Sequence, residues 1–292
     1  MIYLFIVSLI WAFSFGLIKN QLAALDANFI AAARLAISLL VFLPFLRLRG
    51  ISRKLALQLG TAGAIQFGVM YIAYTYSFRY LQAYEVALFT IFTPLYVTLI
   101  NDAFRRRFNA LSLFATLLAI AGTAVVKQAN LFQPGLLTGF LVVQVSNLAF
   151  AFGQVYYREV LRKTPEVTDR SVFGLLYLGG TIAALLPALF TTPWSQFRVD
   201  SAQLLTLLYL GAVASGLGFF LWNVGARKVN AGALAIFNDL KIPLAVAVSL
   251  IVFGEKANLP SLLLGGGIVL AALVINEIGV RRMSRVVEQP PA

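Results

Sequence analysis

The sequence predicts an all-α membrane protein of ten transmembrane helices in two inverted five-helix repeats, with the N- and C-termini cytoplasmic. Three observations lead there. First, 60% of the 292 residues are hydrophobic and only 12% are charged, whereas charged residues make up about a quarter of a soluble domain. The mean hydropathy is +0.87. Second, the basic residues fall in alternate gaps between apolar stretches. Third, part of the chain occurs twice. Moving residues 79–127 forward by 149 positions brings Pro94 onto Pro243, Leu95 onto Leu244, Phe104 onto Phe253 and Asn109 onto Asn258.

A helix needs about 20 mostly apolar residues to cross the hydrocarbon core. Stretches of about that length lie at 2–18, 27–46, 55–78, 83–101, 110–126, 135–157, 171–191, 202–224, 231–253 and 259–280. The first begins at residue 2, with Lys19 after it and no basic segment before it, which reads as a retained span and not a cleaved signal. With the N-terminus inside, the gaps place sixteen Lys and Arg on the cytoplasmic side, Arg105 to Arg107 among them, and five on the other. That bias is the positive-inside rule, and a missed or invented span would destroy it. The +12 net charge therefore records topology, and no nucleic-acid partner is expected.

Five spans per half is an odd number, so the second copy must lie inverted. The halves divide at the Gln133-Pro134-Gly135 linker, giving a first repeat at 1–130, a second at 131–285 and a disordered cytoplasmic tail at 286–292. Inverted repeats with interrupted helices are typical of secondary transporters. Pro94 and Pro243 are the expected helix breaks, each freeing the carbonyl four residues earlier, that of Thr90 and that of Asp239. They read equally as packing kinks or as part of a site.

Taken in order, the spans offer these candidates. Trp11 and Ser14 share a face of the first span, where Trp either packs or stacks on a substrate. Arg34 lies inside the second, and an ionisable group at that depth is a functional-site hypothesis by default. In the third, Gln66, Met70, Tyr74 and Ser77 form a stripe with Tyr71 one position off it. In the sixth, Gln144, Asn147, Ala151 and Gln154 recur at helical spacing, a stripe that faces either a cavity or another helix. The eighth aligns Ser215, Phe219 and Trp222. The ninth holds Asn238, Asp239 and Lys241 just before Pro243. Asp239 and Lys241 are about 200° apart around the helix, so each needs its own partner. Lys241 could take a substrate carboxylate and Asp239 an amine or proton, or Arg34 and Asp239 could pair internally. The glycines at 265–267 in the tenth span read as close-packing scaffold.

The Trp11-Ala12-Phe13-Ser14-Phe15 run, Ala33-Arg34-Leu35, and Pro243 followed by Phe253-Gly254-Glu255 before a Gly-rich last span resemble the EamA repeat of the drug/metabolite transporter superfamily. The resemblance covers nearly the whole chain as two tandem units. It implies a central cavity between the halves and alternating access by movement of one half against the other. In one place this chain departs from the pattern. The acid expected by the repeat is Glu255 in the second half, but its counterpart in the first is Arg106, which favours a helix-end role for Glu255 over substrate binding.

The functional expectation is a secondary transporter of small metabolites, with export as the direction and amino acids or related amines as substrates. A cavity lined by amides, tyrosines and one residue of each sign suits a zwitterion. The expected site comprises Trp11, Arg34, Gln66, Tyr71, Tyr74, Gln144, Asn147, Asn238, Asp239 and Lys241. No metal site or cofactor is expected, because the chain has no cysteine and no histidine. Coupling to protons would fall on Asp239. The chain is expected to act as a monomer in the inner membrane of a bacterium, with lipid and a small molecule as its partners. The alternatives are a transporter of nucleosides or drugs and a membrane-embedded enzyme acting on lipid head groups. The enzyme is disfavoured because the spans hold no cluster of carboxylates.

Overall fold

The computed structural model describes residues 2–104, 114, 117–118, 121, 135–195, 198–227 and 231–260, with scattered residues between 262 and 278. For residues 226–227 and 231–239 it describes the backbone alone. The fifth and tenth expected spans, the linker before Gly135 and the C-terminal tail fall largely or wholly outside the described residues.

Seven helices among the described residues are long and apolar enough to cross a membrane. They are α1 (Ile2–Leu22), α2 (Ala27–Phe45), α3 (Arg53–Ser77), α4 (Ala83–Phe104), α5 (Leu136–Arg162), α6 (Asp169–Thr191) and α7 (Ser201–Gly225). An eighth, α8 (Ala231–Ile251), contains Pro243. No strand occurs among the described residues. Local chemistry sets the starts. Asp26 and Ser52 accept the Phe29 and Leu55 amides as N-caps of α2 and α3, and Asp200 with Gln203 closes a capping box on α7. The 158–170 gap is shorter than the sequence predicts, since α5 continues to Arg162.

The burial pattern is that of a protein whose solvent is lipid. Large apolar side chains such as Leu205 and Phe190 stand exposed on the outside, while Ser8, Arg34, Ser38, Gln66, Asn147 and Ser215 are buried. A water-soluble protein sorts these classes the other way.

The helices pack as two groups. α1 lies against α7 and α8, and α5 lies against α3 and α4. α2 and α6 pack on each other and flank the groups, α2 on the middle of α7 and α6 on α3. The α3–α6 seam depends on glycine. A Cβ at Gly63 would collide with the Leu176 backbone, and one at Gly179 with the Gly60 backbone, so small residues permit the close approach. The two groups meet where the first turns of α4 touch α8 and α1.

Five helices among those described depart from α geometry, α2 by a 3-10 turn at Leu43–Phe45. π-helical stretches occur at Ile18–Leu22, Ala64–Val69 and Tyr209–Leu217. In α4 a 3-10 turn at Thr90–Phe92 precedes Pro94. The carbonyl that the proline orphans, that of Thr90, is taken by the Thr93 amide, which is how the break is accommodated.

Candidate functional site

A cavity lies between the two helix groups. α1 contributes Trp11, Ser14 and Phe15, α2 Arg34, α3 Met70, Tyr71 and Tyr74, and α4 Thr90 and Thr93. α5 adds Ser146, Asn147 and Phe150, α7 Phe219, and α8 Lys241. It encloses about 80 Å³, room for several waters but well short of the roughly 300–1,000 Å³ of small-molecule sites. The helices must part to admit a larger molecule. Phe219 closes one side, with its ring 5.0 Å from that of Phe67 and 5.6 Å from that of Phe150.

Arg34 is the centre of the site. It is 2% exposed, and its Nη2 donates to Tyr71 Oη and to Ser215 Oγ, both at 3.1 Å. The Ser215 proton goes to the Leu210 carbonyl at 2.7 Å, so Tyr71 donates to Ser215 across their 2.7 Å contact. The guanidinium also stacks 4.3 Å from the Tyr71 ring centroid. Two of its nitrogens, Nε and Nη1, are buried without a hydrogen-bond partner among the described residues. A buried cation is costly unless an anion pairs with it, and no carboxylate stands among the described residues lining the cavity.

A second cation, Lys241, is 6% exposed, with Nζ 5.3 Å from the Trp11 ring centroid. Trp11 is itself fixed by donating to the Ala214 carbonyl at 2.8 Å and by packing on Phe219 and Trp222. The opposite wall is polar and neutral. Asn147 Nδ2 donates to the Phe89 carbonyl at 2.8 Å and to Gln144 Oε1 at 3.1 Å, and Asn147 Oδ1 accepts from Thr93 at 3.2 Å. The α4 break therefore supplies the carbonyl that orients the amide.

Of the residues expected from the sequence, Trp11, Arg34, Tyr71, Tyr74, Asn147 and Lys241 come together at the cavity. Gln144 stands behind the wall, accepting from Tyr96 Oη at 3.1 Å. Gln66 is fully buried beside Gly153, with neither amide atom bonded to another described residue. The side chains of Asn238 and Asp239 lie outside the described residues. Ser215 and Thr93 lie outside the expected site, although Ser215 shares a face with Phe219 and Thr93 precedes Pro94. Glu255 has a helix-end role, accepting from the Ala83 and Tyr84 amides of α4.

Comparison with known proteins agrees with this architecture. The EamA-like transporter family model matches residues 1–127 and again 137–277. A probable biotin transporter of Pseudomonas aeruginosa is 39% identical over 285 residues, 96% of this chain and 99% of that protein. The biotin transporter of Escherichia coli K12 is 36% identical over 275 residues, 94% and 91% of the two chains. A probable amino-acid metabolite efflux pump of Salmonella typhimurium is 25% identical over 297 residues, 96% of each. A solved crystal structure shares the fold with a TM-score of 0.67 at 19% identity, covering 96% of this chain and 98% of that one. The chain belongs to the EamA-like transporter family. It is a multi-pass bacterial membrane protein and a transporter, not an enzyme.

Proposed function

From that family membership, we propose that this carrier moves a small monocarboxylate with a compact, partly apolar body across the membrane, and that the substrate is biotin. The carrying observation is the buried Arg34, two of whose nitrogens lack a partner among the described residues, in a cavity with no acidic lining residue among those described. A carboxylate supplies what Arg34 lacks, in the geometry a guanidinium reads best. Lys241 adds a second positive charge on the same space. Trp11, Tyr74, Phe150 and Phe219 offer apolar walls for a bicyclic ring, while Asn147 Oδ1 and Thr93 Oγ1 keep acceptor lone pairs for the N–H groups of a ureido ring. The Pseudomonas aeruginosa and Escherichia coli relatives, at 39% and 36% identity, are both named for biotin.

We place the substrate between ten spans arranged as two inverted repeats, which pass it by alternating access. The second reading keeps an amino acid or amine as the substrate, and the 25%-identical efflux relative favours it. An ammonium group would need an anionic partner, for which Asp239 is the sequence candidate. Proton coupling, if present, also falls on Asp239.

Binding of tritiated biotin to the purified protein in detergent tests the reading. Biotin should bind saturably, its neutral methyl ester should fail to displace it, and Arg34→Ala should weaken binding by about 30-fold or more, the loss expected when a buried charge pair is broken. Arg34→Lys should recover part of the affinity. Equal displacement by the methyl ester, or by an amino acid, would overturn it.

A further inference from the structure

At one end of the molecule two charged side chains of the α1/α7/α8 group grip the turn between α3 and α4. Lys19, on the last turn of α1, donates from Nζ to the Phe78 carbonyl at 2.8 Å, where α3 ends. Glu255, just past α8, accepts the Ala83 amide at 2.9 Å on Oε1 and the Tyr84 amide at 3.0 Å on Oε2, where α4 begins. The turn thus presents a helix C-terminus and a helix N-terminus five residues apart, and the facing group supplies a cation for the first and an anion for the second. Each charge opposes the partial charge of a helix end, the favourable pairing in both cases.

Glu255 is held for this task. Gly254, with φ of 66°, reverses the chain after α8, and the Glu255 amide closes back on the Ser249 carbonyl at 3.1 Å. This is a helix-terminating motif in which the left-handed position favours glycine. Glu85 does not compete for the same amides, because its Oε2 takes the Gln82 amide at 2.8 Å in a capping box. Phe253 packs where a Cβ on Gly16 would sit, so α8 and α1 approach closely just beneath the grip. The cavity-lining Ser14 lies five residues before Lys19, about 7.5 Å along the helix.

We propose that Glu255 and Lys19 form a clasp that holds this end of the substrate cavity shut, and that release of Glu255 from the Ala83 and Tyr84 amides opens the cavity to the non-cytoplasmic side. The repeat offset assigns Arg106, not an acid, to the counterpart of Glu255. The position is duplicated in sequence while its chemistry is not. The clasp depends on the alternating-access reading but not on biotin as the substrate.

The chain has no cysteine, so Ser14→Cys introduces a single thiol at the cavity. Its rate of labelling by a membrane-impermeant maleimide is measured in right-side-out and inside-out membrane vesicles, without substrate. Adding Glu255→Gln should raise the rate about tenfold from the non-cytoplasmic side only, the order expected for loss of a charge-assisted bond. Lys19→Met should act in the same direction, and Lys256→Gln, on the exposed neighbour of Glu255, should leave the rate unchanged. An unchanged rate in Glu255→Gln would overturn the clasp. So would an equal rise from both sides, which marks general loosening. Failure of biotin binding would leave these rates unaffected, so the two readings fail separately.

Discussion

The third and seventh helices each widen into a π-helical stretch, Ala64–Val69 and Tyr209–Leu217, and their neighbours treat the two differently. The offset of 149 that pairs Pro94 with Pro243 also pairs Gln66 with Ser215, the polar residue of each stretch. Around Ser215 every neighbouring helix brings a donor. Trp11 bonds the Ala214 carbonyl, Ser38 that of Gly211, Tyr177 those of Ser215 and Gly216, and Arg34 the Ser215 hydroxyl. Around the first stretch Gly153 lies against Gln66, and Gly180 and Ala183 lie against Gly68, and none of the three has a polar side chain to offer. The widened turn itself exposes carbonyls and shifts side chains. The difference teaches that such a turn becomes a site only where neighbouring helices supply groups to use it.

The contrast can be broken most directly at Ser215. Ser215→Ala removes the hydroxyl that Arg34 and Tyr71 share, and with it the bond to the Leu210 carbonyl. A hydrogen bond to a charged group is worth about 1.5–3 kcal/mol, so biotin binding should weaken roughly tenfold to hundredfold and the thermal midpoint should fall. Unchanged affinity would mean that the second π-helical stretch is as idle as the first. A smaller effect is expected at the α4 break. Asn147→Leu removes the donor that meets the Phe89 carbonyl, at a cost of about 1–3 kcal/mol for a buried group left unmade. The thermal midpoint should drop by several degrees, with a several-fold loss of affinity. No change in either would separate the α4 break from the site.

Much of this was legible in the sequence because lipid imposes simple rules. The bounds of the described spans follow apolar length, and Arg34, Asn147 and Lys241 were found because polar groups at membrane depth are too costly to be incidental. The place of Gln66 away from the cavity has a definite cause. Projecting α-helical spacing through residues 64–69 aligns Gln66 with Met70 and Tyr74 and puts Tyr71 off the stripe, but the π-helical turn carries an extra residue. Met70, Tyr71 and Tyr74 line the cavity together and Gln66 does not. Ser215 stands out in the sequence only as one of a face with Phe219 and Trp222, since its place at the site depends on carbonyls and register that a widened turn creates, and no residue pattern in a single sequence announces that turn.

The smallest effect is expected on the idle side of the comparison. Gln66 is fully buried at mid-helix, and neither Oε1 nor Nε2 has a partner among the described residues. Burying an amide without a hydrogen bond costs on the order of 1–3 kcal/mol by protein mutational measures. Leucine has a similar reach and no such debt. Gln66→Leu should therefore leave biotin affinity and flux within about twofold of the parent, while the thermal midpoint in detergent rises by a few degrees. Loss of flux with affinity intact would show that the amide finds its partners in another conformation of the transport cycle. In that case both widened turns work, at different stages, and the two halves of the chain are less unequal than this conformation makes them.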